Sequence, residues 1–216
     1  MPRFIQGLIF DLDGTLIDSR ADIVGSVNHA LEKLGLRELP SHVISSYVGD
    51  GVRNLLTDCL SHFSRPDLLE SGTTLFRQHY GVHLLDHTRL YPGVSDVLRW
   101  LHPKLKAVVT NKPEGFTIQI LQGLGIRSYF DQVLGGDSLP VKKPSPEPIF
   151  KVLQSWNFAP SDVLVLGDSA NDMQAGKKAR TLTCAVTYGF RSRTELESSR
   201  PDWIIDSITQ LKDLVG

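Results

Sequence analysis

The sequence predicts an α/β protein, a doubly wound parallel sheet interrupted by an all-helical insertion, and three observations carry that expectation. Apolar runs at 8–10, 105–109, 163–166 and 182–186 have strand length and suit strands buried on both faces. From residue 105 onward these runs alternate with helical patterns, as in a sheet built from strand–helix–strand units. Between the first run and residue 90, however, every pattern is helical. A simple crossover needs only ~30 residues, so that stretch reads as an inserted domain.

Taken in order, the first strand, 8–10, stops at Asp11, and a turn follows at Asp13-Gly14. Asp18 or Ser19 then caps a helix whose apolar positions Ile23, Val24, Val27, Ala30, Leu31 and Leu34 follow the helical period, with Gly35 as its stop. The segments 43–48, 52–63 and 68–80 also pattern as helix, and no strand is expected before residue 105. Tyr91-Pro92-Gly93 marks the return to the core. Helix 94–101, strand 105–109, helix 115–124, a short strand at 132–134, helix 147–156, strand 163–166, helix 171–179, strand 182–186 and a closing helix near 208–214 complete the chain. The expected division is a core of 1–17 with 91–216, and a helical cap of 18–90.

Composition bounds the function classes. A formal net charge of -1 argues against a nucleic-acid surface. The two cysteines, Cys59 and Cys184, lack metal-ligand spacing, and the N-terminal apolar run is too short for a signal peptide and is broken by Asp11. With no stretch resembling a membrane span, a soluble cytoplasmic protein is expected, as monomer or homodimer.

Polar clusters sit where the strands end. Asp11 and Asp13, two apart before Gly14, either form a site or simply end a strand in an Asx turn. Thr110-Asn111-Lys112-Pro113 closes the strand 105–109, and Gly167-Asp168-Ser169-Ala170-Asn171-Asp172 closes 163–166. Between them lies Lys142-Lys143-Pro144-Ser145-Pro146. Taken singly, the Thr-Asn-Lys-Pro is more often a turn, the lysine pair a solvated face, and Asp168 with Asp172 a helix N-terminus favoured by its dipole. In the insertion, Gly49-Asp50-Gly51 opens a helix and exposes backbone N–H groups suited to an anion, with Arg53 as a carboxylate partner; a ligand-free helix start is the alternative. His79, His83 and His87 are spaced for one helix face, but Gly81 interrupts any helix there and the Glu of a zinc motif is missing, so they read as surface residues. His29, His42, His62 and His102 are isolated.

Asp-x-Asp-Gly-Thr, a strand-end Thr-Asn, a Lys-Pro and Gly-Asp-x-x-x-Asp, in that order across the whole chain, resemble the haloacid dehalogenase superfamily, nearest its phosphoglycolate phosphatases. The resemblance implies a Rossmann-like core and an aspartyl-phosphate mechanism, with Asp11 as nucleophile and Asp13 as general acid and base. It implies Thr110, Asn111 and Lys143 as phosphate-binding residues. Mg²⁺ would be held by Asp11, the Asp13 carbonyl and Asp168, with Asp172 direct or behind them, and Mn²⁺ would fit the same oxygens. The implied partner is a small phosphorylated metabolite, and Gly49, Asp50, Gly51 and Arg53 correspond to the lid loop that selects it. Pyrophosphatases, nucleotidases, sugar-phosphate phosphatases and β-phosphoglucomutases share the core motifs, and a non-catalytic phosphate-binding regulator is the reading from another class.

Overall fold

The computed structural model describes residues 4–215. The chain divides into two compact units, one of 1–18 with 90–216 and one of 19–89.

The first unit is built on a six-stranded sheet. Strands β1 (Gly7–Phe10), β4 (Leu105–Val109), β5 (Gln132–Leu134), β6 (Val163–Gly167), β7 (Leu182–Val186) and β8 (Trp203–Ile205) run in the order β5-β4-β1-β6-β7-β8, and every adjacent pair is parallel. All four residues of β1 are buried, which is why an uninterrupted apolar run is the right sequence for a central strand. On one face Ile9, Val109 and Val165 pack under α7 (Glu147–Trp156) and α8 (Ala170–Lys178), through Ile149, Val152, Trp156 and Ala175. Phe10 alternates to the opposite face and meets Phe130 edge-on, with ring centroids 6.2 Å apart. Helices α5 (Val94–Trp100) and α6 (Glu114–Gly123) flank β4, α9 (Arg193–Ser198) connects β7 to β8, and α10 (Leu211–Leu214) follows β8.

The second unit is helical: α1 (Arg20–Lys33), α2 (Ser41–Ser46), α3 (Val52–Ser61) and α4 (Leu69–Val82). Its ends are tied by the buried Asp22 of α1, whose carboxylate accepts the backbone N–H groups of His87 (2.9 Å) and Thr88 (2.8 Å) and the Thr88 hydroxyl (2.7 Å).

Several elements differ from the sequence expectation. Two-residue strands β2 (Ile17–Asp18) and β3 (Arg89–Leu90) pair with each other in a separate sheet, although no strand was expected there; two residues leave no periodicity to read. Asp18 therefore lies in β2, and Ser19 takes the N-cap position without a side-chain cap bond. Helix α4 runs through Gly81 to Val82, because packing of the buried Phe76 and Tyr80 outweighs the ~1 kcal/mol that glycine costs a helix. The closing helix is a 3₁₀ turn, Ile208–Gln210, followed by the single turn of α10.

A Cβ added at Gly7 would sit 2.6 Å from Trp156 Cζ3, so β1 and α7 approach to the limit glycine allows. Gly7→Val should lower stability by about 1–3 kcal/mol, seen as a lower urea midpoint at unchanged slope. An unchanged midpoint would show that the Trp156 ring has room to move.

Candidate active site

The sheet register assembles the site. Phe10 lies opposite Leu166 on one side and Val108 on the other, so Asp11, Thr110 and Asp168 all leave the sheet at its C-terminal edge. Connectivity reverses at β1, with β4 and β5 to one side and β6 to β8 to the other. Open α/β sheets bind ligands in the crevice at such a switch point.

Lys143 is the hub. Its buried ammonium donates to Asp11 Oδ1 (2.8 Å), Asp172 Oδ1 (2.6 Å) and the Val109 carbonyl (2.6 Å). The other oxygen of Asp172 accepts from the Ser169 N–H (3.1 Å) and hydroxyl (2.6 Å), the capping box that starts α8. Asn111 donates its side-chain amide to the Lys143 carbonyl at 3.0 Å and so secures the loop that carries the lysine. Asp168 Oδ2 accepts from the Phe190 N–H at 2.6 Å. Gly14, at φ +86°, passes so close to the Asp168 carboxylate that a Cβ there would collide with it.

Asp13 has a different partner. Lys112 Nζ lies 3.0 Å from Asp13 Oδ1 and 2.9 Å from Oδ2, and donates to both. The Lys112 N–H donates to the buried Thr110 hydroxyl oxygen at 3.2 Å.

This packing of acids shows in their proton affinities. Burial pushes Asp11 up to about 6; Lys143 works against the rise, while Asp172 and Asp13 add to it. Burial also drives Asp168 well above the ordinary carboxylate range, with Asp11 and Asp172 reinforcing it against the Phe190 N–H and Arg191. Desolvation pulls the Lys143 ammonium down, but Asp11 and Asp172 outweigh it and hold the group above the usual lysine range.

Asp11, Asp168 and Asp172 each bring a carboxylate oxygen within 4.8 Å of the others. Buried hard oxygens carrying more negative charge than the protein neutralises fit a divalent cation of the Mg²⁺ type. Both Asp172 oxygens already accept hydrogen bonds, one from Lys143 and the other from Ser169, whereas Asp11 and Asp168 hold the less compensated charge.

The structure therefore gathers Asp11, Asp13, Thr110, Asn111, Lys143, Asp168 and Asp172 around one sheet edge. Gly49 (φ 130°), Asp50 and Gly51 (φ 82°) form the turn before α3 in the helical unit. There Arg53 pairs with Glu70 at 2.5 Å, both side chains exposed. His29 and His62 are not isolated: His29, His79 and His83 stack as a column with centroids 4.1 and 4.2 Å apart, and His62 Nε2 lies 2.9 Å from the Tyr47 hydroxyl. Among the described residues, the acidic trio alone groups three ligand atoms as a metal site would. Sequence reasoning singled out neither Lys112 nor the segment 188–190. The signal for Lys112 was present, a cation next to two polar residues at a strand end; Phe190 acts through its backbone, which no side-chain motif reports.

Residues 8–186 match the model of the haloacid dehalogenase-like hydrolase family. The chain belongs to that family. Phosphoglycolate phosphatases are similar over nearly its full length: that of Neisseria meningitidis is 39% identical, covering 96% of this chain and 92% of the relative, and that of Chromobacterium violaceum is 39% identical, covering 99% and 97%. Among solved structures, a predicted phosphoglycolate phosphatase from Haemophilus somnus superimposes with a TM-score of 0.93 at 32% identity, covering 97% of each chain. Within the haloacid dehalogenase-like hydrolases, then, these relatives are phosphatases. Among the described residues, no helix is long and apolar enough to cross a membrane.

The raised Asp11 carries a stability consequence. Its ordinary value is 3.8, so from there to about 6 the folded state keeps a proton that the unfolded chain has lost. For this group, the stability present at lower pH therefore falls as pH rises through that window, by on the order of 3 kcal/mol in metal-free protein. Asp168 carries the decline further upward. Added Mg²⁺ should reverse the slope, because it favours both carboxylates ionised. Urea titrations between about pH 4 and 7, with EDTA or with Mg²⁺, check this; stability rising with pH in EDTA would contradict it.

Proposed function

We propose that the chain is a phosphomonoesterase that hydrolyses 2-phosphoglycolate to glycolate and phosphate through an aspartyl-phosphate. The observation that carries the chemistry is the Asp11–Lys143–Asp172 chain of ion pairs at the switch point, with Asp13 two residues on. In the first step an Asp11 carboxylate oxygen attacks phosphorus, the bond from phosphorus to the substrate oxygen breaks, and Asp13 gives that oxygen its proton. In the second, Asp13 takes a proton from water as the water attacks the phosphoryl group, and the Asp11 carboxylate is released. Lys143 and the Thr110 hydroxyl are the groups assigned to the phosphoryl oxygens.

A carboxylate approaching a phosphate dianion meets repulsion of about 4 kcal/mol per unit-charge pair at ~4 Å in an effective dielectric of 20. Asp11, Asp168 and the Asp13 carbonyl would hold Mg²⁺, with Asp172 behind Lys143, and the bound ion would supply the charge that offsets this repulsion. The core residues handle only the phosphoryl group, so the substrate reading rests on the relatives. Their likeness spans 96% or more of the chain, which includes the Gly49–Gly51 turn assigned here to selectivity.

The test compares kcat/KM for 2-phosphoglycolate, pyrophosphate, nucleoside monophosphates and hexose phosphates with Mg²⁺ present. We expect 2-phosphoglycolate to lead by at least tenfold, and Asp11→Asn to lose roughly a thousandfold or more. Another leading substrate would replace the glycolate reading and leave the chemistry standing. An Asp11→Asn protein as active as the wild type would exclude the covalent mechanism.

A further inference from the structure

We infer that Lys112 is a positioning residue for Asp13, holding the acid–base carboxylate in its working orientation and stabilising it as it gives up its proton. The inference rests on the acid–base role proposed above and assigns a group which that mechanism left unused.

The geometry is specific. The Lys112 side chain is 5% exposed and the Asp13 side chain 12%, and the ammonium meets both carboxylate oxygens, at 3.0 and 2.9 Å. Two charge-assisted hydrogen bonds to one carboxylate fix its rotation as well as its place. The base of the lysine is itself held. Its N–H donates to Thr110 Oγ1 at 3.2 Å, its carbonyl accepts from the Gly136 N–H at 2.8 Å, and Pro113 follows it. An ammonium anchored in this way carries the position of the strand end of β4 to Asp13, which lies on the turn after β1.

The chemical consequence is asymmetric. In the first step the Asp13 carboxyl passes its proton to the departing oxygen and becomes a carboxylate; Lys112 stays protonated and stabilises the charge that forms. In the second step Asp13 accepts a proton and that charge disappears, so the lysine contributes only its hold on the carboxylate's orientation. Lys112 should therefore matter where the leaving group needs a proton and little where it leaves as a stable anion. A purely structural ion pair would not make that distinction.

The experiment uses Lys112→Met and Asp13→Asn in the full-length protein with Mg²⁺, assayed on 2-phosphoglycolate or another alkyl phosphate and on 4-nitrophenyl phosphate, whose phenolate leaves unprotonated. General acid–base assistance is worth 10²–10⁴-fold, and loss of its positioning partner should cost kcat/KM on the alkyl phosphate, which reports the steps up to departure of the alcohol, about a hundredfold. On the aryl phosphate the Lys112→Met kcat/KM should stay within about threefold of wild type, and Asp13→Asn should show the same discrimination in kcat/KM, while its kcat falls on both substrates because they share the aspartyl-phosphate that Asp13 helps water to hydrolyse. Lys112→Gln, neutral and similar in reach, makes the same comparison if the Met variant does not fold. Equal losses of kcat/KM on both substrates, or no loss on either, with Asp13→Asn still discriminating, would overturn the role of Lys112. An Asp13→Asn protein without discrimination in kcat/KM would instead overturn the general-acid reading of Asp13, and the Lys112 inference would fall with it.

Discussion

Mutual repulsion among buried carboxylates is the constraint around which this molecule is arranged. Asp11, Asp168 and Asp172 present oxygens within 4.8 Å of one another at the end of a sheet, with Asp13 beside them. Left alone, such a cluster would take up protons or open to water. Lys143 limits this by meeting Asp11 and Asp172 together. The compensation is partial, and the raised proton affinities of Asp11 and Asp168 record what is left over. A buried ion pair seldom adds net stability, so the cluster costs the fold something, and the apolar layer beneath it, Ile9, Val109, Val165 and Trp156, supplies the stability that the edge does not. The uncompensated charge is also the reason the edge suits a divalent cation.

Precision at that edge comes from groups that serve two purposes. Asp172 caps α8 through Ser169 and anchors Lys143 with its other oxygen, so the start of the helix and the position of the Lys143 ammonium are one arrangement. Asn111 holds the Lys143 loop through its carbonyl. The Phe190 N–H fixes Asp168 from the loop after β7, and the lack of a side chain at Gly14 lets the Asp11–Asp13 turn pass against that carboxylate. Little of this would survive a shift of the β1–β6 register, because a one-residue slip would turn Asp11 to the other face of the sheet.

The sequence was most readable where several local signals agreed. β4 and β7 lie at the expected residues, α7 likewise, and β6 is one residue longer, since buried parallel strands and amphipathic helices follow from composition and period alone. The elements that escaped were those without period: the two-residue β2 and β3, the short β8 among turn residues, and the 3₁₀ start of the last helix. The acids and Lys143 were legible because strand-end polar clusters in a fixed order are rare. Their wiring was not. Nothing in the order of residues says that Asn111 reaches the Lys143 carbonyl, or that His29 stacks on His79, since both contacts join elements distant in sequence.

Lys112 shows how a motif can be seen and still be underused. It stands inside the Thr110–Pro113 cluster, where its neighbours carried the evident phosphate chemistry and a lysine in a turn is most often solvated. Yet two carboxylates two residues apart cannot perform different tasks unless their surroundings differ. The structure provides that difference with two lysines. Asp11 shares Lys143 with Asp172 among other acids, a setting that fits the nucleophile's part proposed for it. Asp13 meets Lys112 through both oxygens, which suits a group that must keep its aim while its proton comes and goes. The division of labour proposed for the neighbouring aspartates is thus written less in the Asp-x-Asp motif than in the two cations, distant in sequence, that the sheet brings to its edge.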